Sequence, residues 1–165
     1  MELELKRGGR TARVETLGGE LVSYRDERGL EYIWGGDPAY WPGRNPLLFP
    51  IVGMLKEGKI RFDGREYAME RHGFARRREF TPAARGEDWV RLELRESAET
   101  LALYPYPFRL AVEQRLTDTG FSTAVTVANP GEGPLPFCLG AHTGFRCPLE
   151  AGERFEDYEL VFPER

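Results

Sequence analysis

Hydrophobic and polar residues alternate with a period of two along most of the chain, which is the pattern of half-buried β-strands. Strands are predicted at residues 2–5, 12–17, 21–24, 59–62, 65–69, 89–94, 108–113, 121–127 and 158–162. Short runs of turn residues separate these segments, as at Gly18-Gly19 and Asp118-Thr119-Gly120. Many short strands with turns at near-regular intervals predict an all-β sandwich or barrel.

Two local signals sharpen this prediction. Asp63-Gly64 lies between two alternating segments and predicts a hairpin with a type I′ turn, in which both central residues have positive φ. Only the segment from Ser97 to Leu103 reads as a helix, with Ser97 as its N-cap and an end before Pro105.

A loop rich in Pro, Gly and aromatic residues interrupts the strand pattern between Gly35 and Pro50. The composition of its first part, Gly35–Pro46, is incompatible with a regular element. An ordered loop that carries Tyr40 and Trp41 fits the wall of a ligand site, and it equally fits a cap over one end of the sheet.

Composition limits the classes of function. The 165 residues, 41% of them hydrophobic, fit one domain spanning 1–165 with a buried core. A net charge of −4 gives no support to nucleic-acid binding. The sequence shows neither an apolar run long enough for a membrane span nor a secretory signal, so we expect a cytoplasmic protein without nucleic-acid or membrane partners.

The two histidines of the chain, His72 and His142, stand in similar settings, His-Gly-Phe and Gly-Ala-His-Thr-Gly-Phe. Histidine can donate and accept a proton near neutral pH, so the matching contexts predict one shared site. The alternative, that each is a turn residue or a satisfied buried polar group, stays open for either one alone.

Cys138 and Cys147 flank His142, which suggests a zinc site at first sight. Three ligands at irregular spacing with no fourth nearby do not match a zinc motif, and we predict no metal. Both cysteines are expected to be ordinary semi-buried thiols.

Several segments, in this order and spacing, resemble the aldose 1-epimerase (mutarotase) family, in its LacX-like branch. They are Trp34–Pro38, Asn45–Gly53, the Asp63-Gly64 hairpin, His72–Arg76, Leu103–Phe108, Gly140–His142, Phe145 and Cys147–Leu149. The resemblance implies a galactose mutarotase-like β-sandwich, or supersandwich, with a sugar cleft on one sheet. It covers about the first half of a family member, which implies a sandwich that is incomplete at its C-terminal side.

The resemblance also implies roles for individual residues. His142 is the implied general acid that protonates the ring oxygen of an aldose, and the reaction interconverts α and β anomers. His72, Arg76 and Phe74 are the implied substrate-binding residues. The substrate is a small sugar, a hexose or a sugar phosphate, and no cofactor is needed because no electrons move.

Three positions depart from the family. The general base of the family is a Glu beyond the position at which this sequence ends, Arg165, and no acidic residue here occupies a matching motif. Met54 stands where many relatives have an Arg, and a thioether cannot donate hydrogen bonds. Thr143 replaces a Pro after the second histidine, which predicts a looser backbone there.

The Arg76-Arg77-Arg78 run has two interpretations. It could clamp an anionic sugar through bidentate contacts, or it could be a solvated cluster of charges, which we favour.

The absent base leaves an alternative to catalysis, a non-catalytic carbohydrate-binding sandwich or an inactive truncated mutarotase. Unpaired strand edges of a half sandwich further predict self-association.

Overall fold

A computed structural model describes residues 1–162, within which the chain forms eleven β-strands and one α-helix. The strands are β1 (Glu2–Arg7), β2 (Arg10–Glu15), β3 (Glu20–Arg25), β4 (Leu47–Leu48), β5 (Lys59–Phe62), β6 (Arg65–Ala68), β7 (Thr81–Arg85), β8 (Trp89–Arg95), β9 (Arg109–Leu116), β10 (Phe121–Ala128) and β11 (Gly140–Ala141). The helix is α1 (Ala98–Leu103), and 3₁₀ turns lie at Lys56–Gly58, Ala75–Arg77 and Phe155–Asp157. The predicted all-β class is confirmed, while the predicted domain boundary at Arg165 lies outside the described residues.

Two antiparallel sheets build the core. One has the strand order β1-β2-β3, the other β10-β9-β8-β7. Because side chains alternate between the two faces of a strand, one face of each sheet is buried in a common hydrophobic cluster. It contains Leu5 and Val14 from the first sheet and Leu92 and Val112 from the second, each at most 1% exposed. Burying each such side chain stabilises the fold by about 1.5–3 kcal/mol.

One buried polar side chain ties the two sheets together. Gln114 of β9 is 2% exposed. Its amide Nε2 donates to the carbonyl oxygen of Gly19, in the turn between β2 and β3, at 2.9 Å. Its Oε1 accepts from the hydroxyl of Thr123 at 2.6 Å. Both ends of the amide are therefore satisfied, as burial of a polar group requires.

The local turn and helix signals are confirmed. Asp63 and Gly64 have φ values of +47° and +79° and join β5 to β6 in register, as a type I′ turn requires. Ser97 caps α1 by accepting the backbone N–H of Thr100 at 3.3 Å. Within residues 1–162 no helix has the length and apolar character needed to cross a membrane.

The predicted strand at 158–162 is wrong. These residues follow a 3₁₀ turn and form no strand within the described chain, and Leu160, Val161 and Phe162 are between 75% and 83% exposed. Alternation favours an extended backbone, but a strand also needs a neighbour to complete its hydrogen bonds. The pattern also misses a strand, β7. Its sequence, Thr-Pro-Ala-Ala-Arg, does not alternate, but it pairs with β8.

Candidate active site

A two-stranded ribbon brings the second histidine to the aromatic loop. β11 pairs with β4, with Gly140 opposite Leu48 and Ala141 opposite Leu47. The next backbone N–H, that of His142, donates to the carbonyl oxygen of Pro46 at 3.1 Å. His142 therefore projects from the end of this ribbon, and its side chain is exposed.

The first histidine lies in the loop that follows β6. The carbonyl oxygen of Phe49 accepts the N–H groups of Phe74 and Ala75 at 3.0 and 3.2 Å, which fastens this loop to the chain just after β4. His72 itself is held by Gly53. Its backbone N–H donates to the Gly53 carbonyl at 2.7 Å, and its Nδ1 accepts the Gly53 N–H at 3.0 Å.

The rings of His72 and His142, the two residues for which a shared site is predicted, lie near each other. Their centroids lie 6.1 Å apart with the ring planes inclined at 65°. Partial burial lowers the pKa of His72 below its ordinary 6.5, and the positive charges of Arg76, His142 and Arg71 lower it further. His72 is therefore mainly neutral at neutral pH.

The aromatic loop, residues 35–46, lies against the ring of His142. The indole of Trp41 is 5.0 Å from the imidazole of His142, centroid to centroid. Trp34 anchors the loop, since its Nε1 donates to the Trp41 carbonyl at 2.8 Å and its backbone N–H donates to the Gly144 carbonyl at 2.9 Å. The structure thus gives Trp41 a place beside His142, while Tyr40 is 83% exposed.

Polar contacts order the other end of the loop. Oε1 of Glu20 accepts the backbone N–H groups of Arg44 and Asn45 at 2.9 and 2.5 Å. The side-chain oxygen of Asn45 accepts the hydroxyl of Thr143 at 2.6 Å. The sequence predicted a looser backbone at Thr143, but the hydroxyl ties this residue to a segment 98 positions away.

The arginine run divides into two roles. Arg77 pairs with Glu70 at 2.6 Å, and Arg78 pairs with Glu99, so these two arginines lie in surface ion pairs. Arg76 differs. Its Nη2 donates to the Arg71 carbonyl at 2.9 Å, and its Nε is buried without a hydrogen-bond partner among the described residues. The positive charge of Arg76 acts on His72 and helps to lower the pKa of that ring, so the guanidinium lies close to the first histidine.

Phe74 does not join the histidines at the surface. Its side chain is 5% exposed and packs against Phe49, Tyr104 and Phe108, with ring centroids 5.8–6.3 Å apart. The structure gives this ring a core position instead of the cleft position that the resemblance implied. Its packing supports the loop of His72 from beneath.

Cys138 and Cys147 are free and exposed, so the expected semi-buried state is wrong for both. Neither side chain is covered by the core, because the segments that carry them run along the surface after β10. Within the described part of the chain, no group of three or more His, Cys, Asp and Glu side chains is arranged to hold a metal ion.

Several contacts of the site could not be predicted from the sequence. Gly53 acts through its backbone, and Glu20 and Asn45 act through contacts made across long sequence separations. Arg71 lies with its Nη2 4.0 Å from the sulfur of Met54. Met54 offers no hydrogen-bond donor where many relatives have an Arg, but the guanidinium of Arg71 lies next to it. None of these contacts follows from spacing along the chain.

The sequence of the chain is similar to a known protein family. The sequence model of the aldose 1-epimerase family matches residues 1–163. Two curated relatives are the plasmid and chromosomal forms of protein LacX from Lactococcus lactis, 41% and 40% identical over 170 residues. Each alignment covers 99% of this chain and 57% of the relative. The chain therefore spans little more than half the length of these relatives.

Solved structures show the same fold. A galactose mutarotase related enzyme from Lactobacillus acidophilus superposes with a TM-score of 0.92 at 28% identity, over 95% of this chain and 53% of that enzyme. A galactose mutarotase-like protein from Lactobacillus casei gives a TM-score of 0.87 at 33% identity, over 92% of this chain and 52% of that protein. The predicted galactose mutarotase-like sandwich is confirmed.

Proposed function

The chain belongs to the aldose 1-epimerase family, and on that premise we propose that its two-histidine site binds an aldose and interconverts the α and β anomers. The observation that carries the proposal is the 6.1 Å separation of the His72 and His142 rings. Two imidazoles held on one surface by separate segments of the chain suit an acid/base reaction.

The chemistry assigns a different task to each ring. Opening the sugar breaks the bond between the anomeric carbon and the ring oxygen, which takes up a proton, while the anomeric hydroxyl loses one. We assign the protonation of the ring oxygen to His142, because it is exposed at the site and free of hydrogen bonds from its ring to the described residues. Neutral His72 polarises an oxygen at the anomeric centre. Rotation about one bond and closure by the reverse steps give the other anomer.

The site has features that suit a sugar. The indole of Trp41 offers a flat apolar surface beside His142. The Nη groups of Arg76 carry further N–H donors for sugar oxygens besides the one that binds the Arg71 carbonyl. A guanidinium binds a hydroxyl and a phosphate, so the substrate class is a hexose or a hexose phosphate.

A second candidate function is carbohydrate binding without turnover. Within residues 1–162, no carboxylate forms a hydrogen bond or an ion pair with the ring of His72 or His142. The reaction also needs a group that removes the proton of the anomeric hydroxyl, and the family resemblance implies a Glu for this step. This observation favours a binding role for the chain acting alone.

Exchange spectroscopy separates the two functions. The chain is added to glucose and to galactose at neutral pH, and exchange between the anomers is followed by NMR saturation transfer. Catalysis predicts faster exchange that is lost in His142→Ala, while binding alone predicts sugar binding without acceleration. Full activity in folded His142→Ala would contradict the assignment of His142 as the general acid. Sugar binding that is unaffected by Ala at both histidines would argue against both functions.

A further inference from the structure

The backbone of Gly53 contacts His72 from two sides. The Gly53 carbonyl accepts the His72 backbone N–H at 2.7 Å, and the Gly53 N–H donates to the His72 ring at Nδ1 at 3.0 Å. Both residues have positive φ, +82° and +67°. For His72, a residue with a Cβ, this conformation is uncommon and has to be held by its surroundings.

The second contact determines where the ring carries its proton. A backbone N–H can only donate, so Nδ1 of His72 acts as the acceptor. A neutral imidazole has one acceptor nitrogen and one N–H, and the proton of His72 therefore resides on Nε2. Nδ1 is occupied by the protein, and Nε2 is the nitrogen left for a ligand.

The same contact opposes a second proton on the ring. A protonated imidazole donates from both nitrogens, which would set an N–H at Nδ1 against the N–H of Gly53 and abolish the bond. The charged and titratable groups that act on His72 are Arg76, His142 and Arg71, and each disfavours additional positive charge. No carboxylate within residues 1–162 pairs with the ring to offset them.

We propose that Gly53 is a positioning residue that fixes His72 as a neutral imidazole with its proton on Nε2. His72 then serves as a constant hydrogen-bond donor to a substrate oxygen, and His142 is the only histidine that exchanges a proton with the sugar. The inference rests on the proposed function for its ligand, but the state of the ring is a property of the free protein.

NMR of the ¹⁵N-labelled chain tests the ring state directly. The N–H···N bond predicts a scalar coupling between the Gly53 amide nitrogen and Nδ1 of His72, and long-range correlations that identify an Nε2–H tautomer. Since the chain has two histidines, the His142→Ala variant assigns the signals. A ring with its proton on Nδ1, rapid exchange between tautomers, or a missing coupling would overturn the proposal.

A titration and a ligand complete the test. At pH 6.5, where a free histidine is about half protonated, the His72 ring is expected to keep its neutral pattern; half protonation there would overturn the proposal. Galactose is expected to shift the Nε2 resonance and leave the coupling from Nδ1 to Gly53 intact. Loss of that coupling on sugar binding counts against the positioning role. If the ring keeps its Nε2–H tautomer but galactose does not change its resonances, the proposed function at His72 is contradicted. The assigned tautomer is not contradicted by that result.

Discussion

A Cβ atom on Gly73 would lie 2.1 Å from the carbonyl oxygen of Phe49, closer than any side-chain carbon can approach. Gly73 also has a φ of +70°. This position follows His72 directly, and the close approach is what allows the next two N–H groups to reach that same carbonyl. The loop that presents His72 therefore depends on the absence of a side chain at Gly73.

Gly73→Ala is expected to destabilise the fold by about 3 kcal/mol, because the methyl group forces the loop away from β4 and also strains the backbone. Gly64→Ala is the matched control, since Gly64 has a similar φ of +79° but nothing within 4 Å of an added Cβ. That change should cost only about 1 kcal/mol, from the positive φ alone. Urea unfolding of the two variants measures both, and equal losses would contradict the steric explanation.

Gly144→Ala should displace Trp41 from the second histidine. An added Cβ would lie 2.7 Å from Cζ3 of Trp41 and 3.0 Å from Cβ of Trp34. We expect a loss of about 1–3 kcal/mol in unfolding free energy. The ring protons of His142 should also move in the NMR spectrum as the indole leaves its neighbourhood.

The control for this change is Gly133→Ala, at a position with open space around it and no positive φ. It should alter stability by less than about 0.5 kcal/mol and leave the His142 resonances in place. A Gly144→Ala protein with unshifted His142 signals would show that Trp41 does not depend on the missing side chain.

The lowered pKa of His72 makes stability depend on pH in a defined direction. Because the unfolded chain takes up this proton more readily than the folded one, the contribution is present above pH 6.5 and is lost as pH falls through the folded-state value. We expect the free energy of unfolding to drop more between pH 7.5 and pH 5.5 in the parent chain than in His72→Asn. Asn tolerates the positive φ and cannot titrate.

The comparison isolates one group, because the carboxylates whose pKa is lowered, such as Glu31, are shared by both proteins. Denaturant titrations at the two pH values provide the measurement. Parallel losses in the parent and in His72→Asn would mean that His72 titrates alike in the folded and unfolded states.

The outer edge of β10 is proposed as the site of self-association. Phe121–Ala128 contains neither a charged residue nor a proline, and its pairing with β9 runs without a bulge. The opposite edge of the same sheet, β7, carries Pro82 and a register shift, two features that protect an edge.

Thr126→Lys should therefore raise the monomer fraction in light scattering coupled to size exclusion, because Thr126 is exposed and a charged side chain discourages strand pairing. Thr81→Lys, on the protected edge, should leave the association unchanged. A parent chain that is monomeric at high concentration would refute the proposal.

The fold could be predicted from the sequence largely because its strands are local patterns. The hairpin at Asp63-Gly64 and the cap at Ser97 each depend on residues that are neighbours in sequence. The failures lie where pairing decides the outcome. Residues 158–162 alternate but have no partner strand among residues 1–162, whereas β7 does not alternate but is held by β8.

The candidate site could be predicted only in part. The two histidines stood out by their matching contexts, and the structure brings their rings together. Phe74 shares the motif of His72 but faces the core, because its backbone pairs with the Phe49 carbonyl and turns its ring inward. The contacts of Gly53, Glu20 and Thr143 join distant segments, and a linear pattern contains no trace of them.

One titration tests the central claim that His72 and His142 form a single sugar site. The ring resonances of both histidines are followed as galactose is added to the folded chain, with glycerol at matched concentration as the control. A shared site predicts that both rings shift together, with one dissociation constant, while glycerol moves neither. Signals that stay in place at both rings, or that move at only one of them, would contradict a shared site.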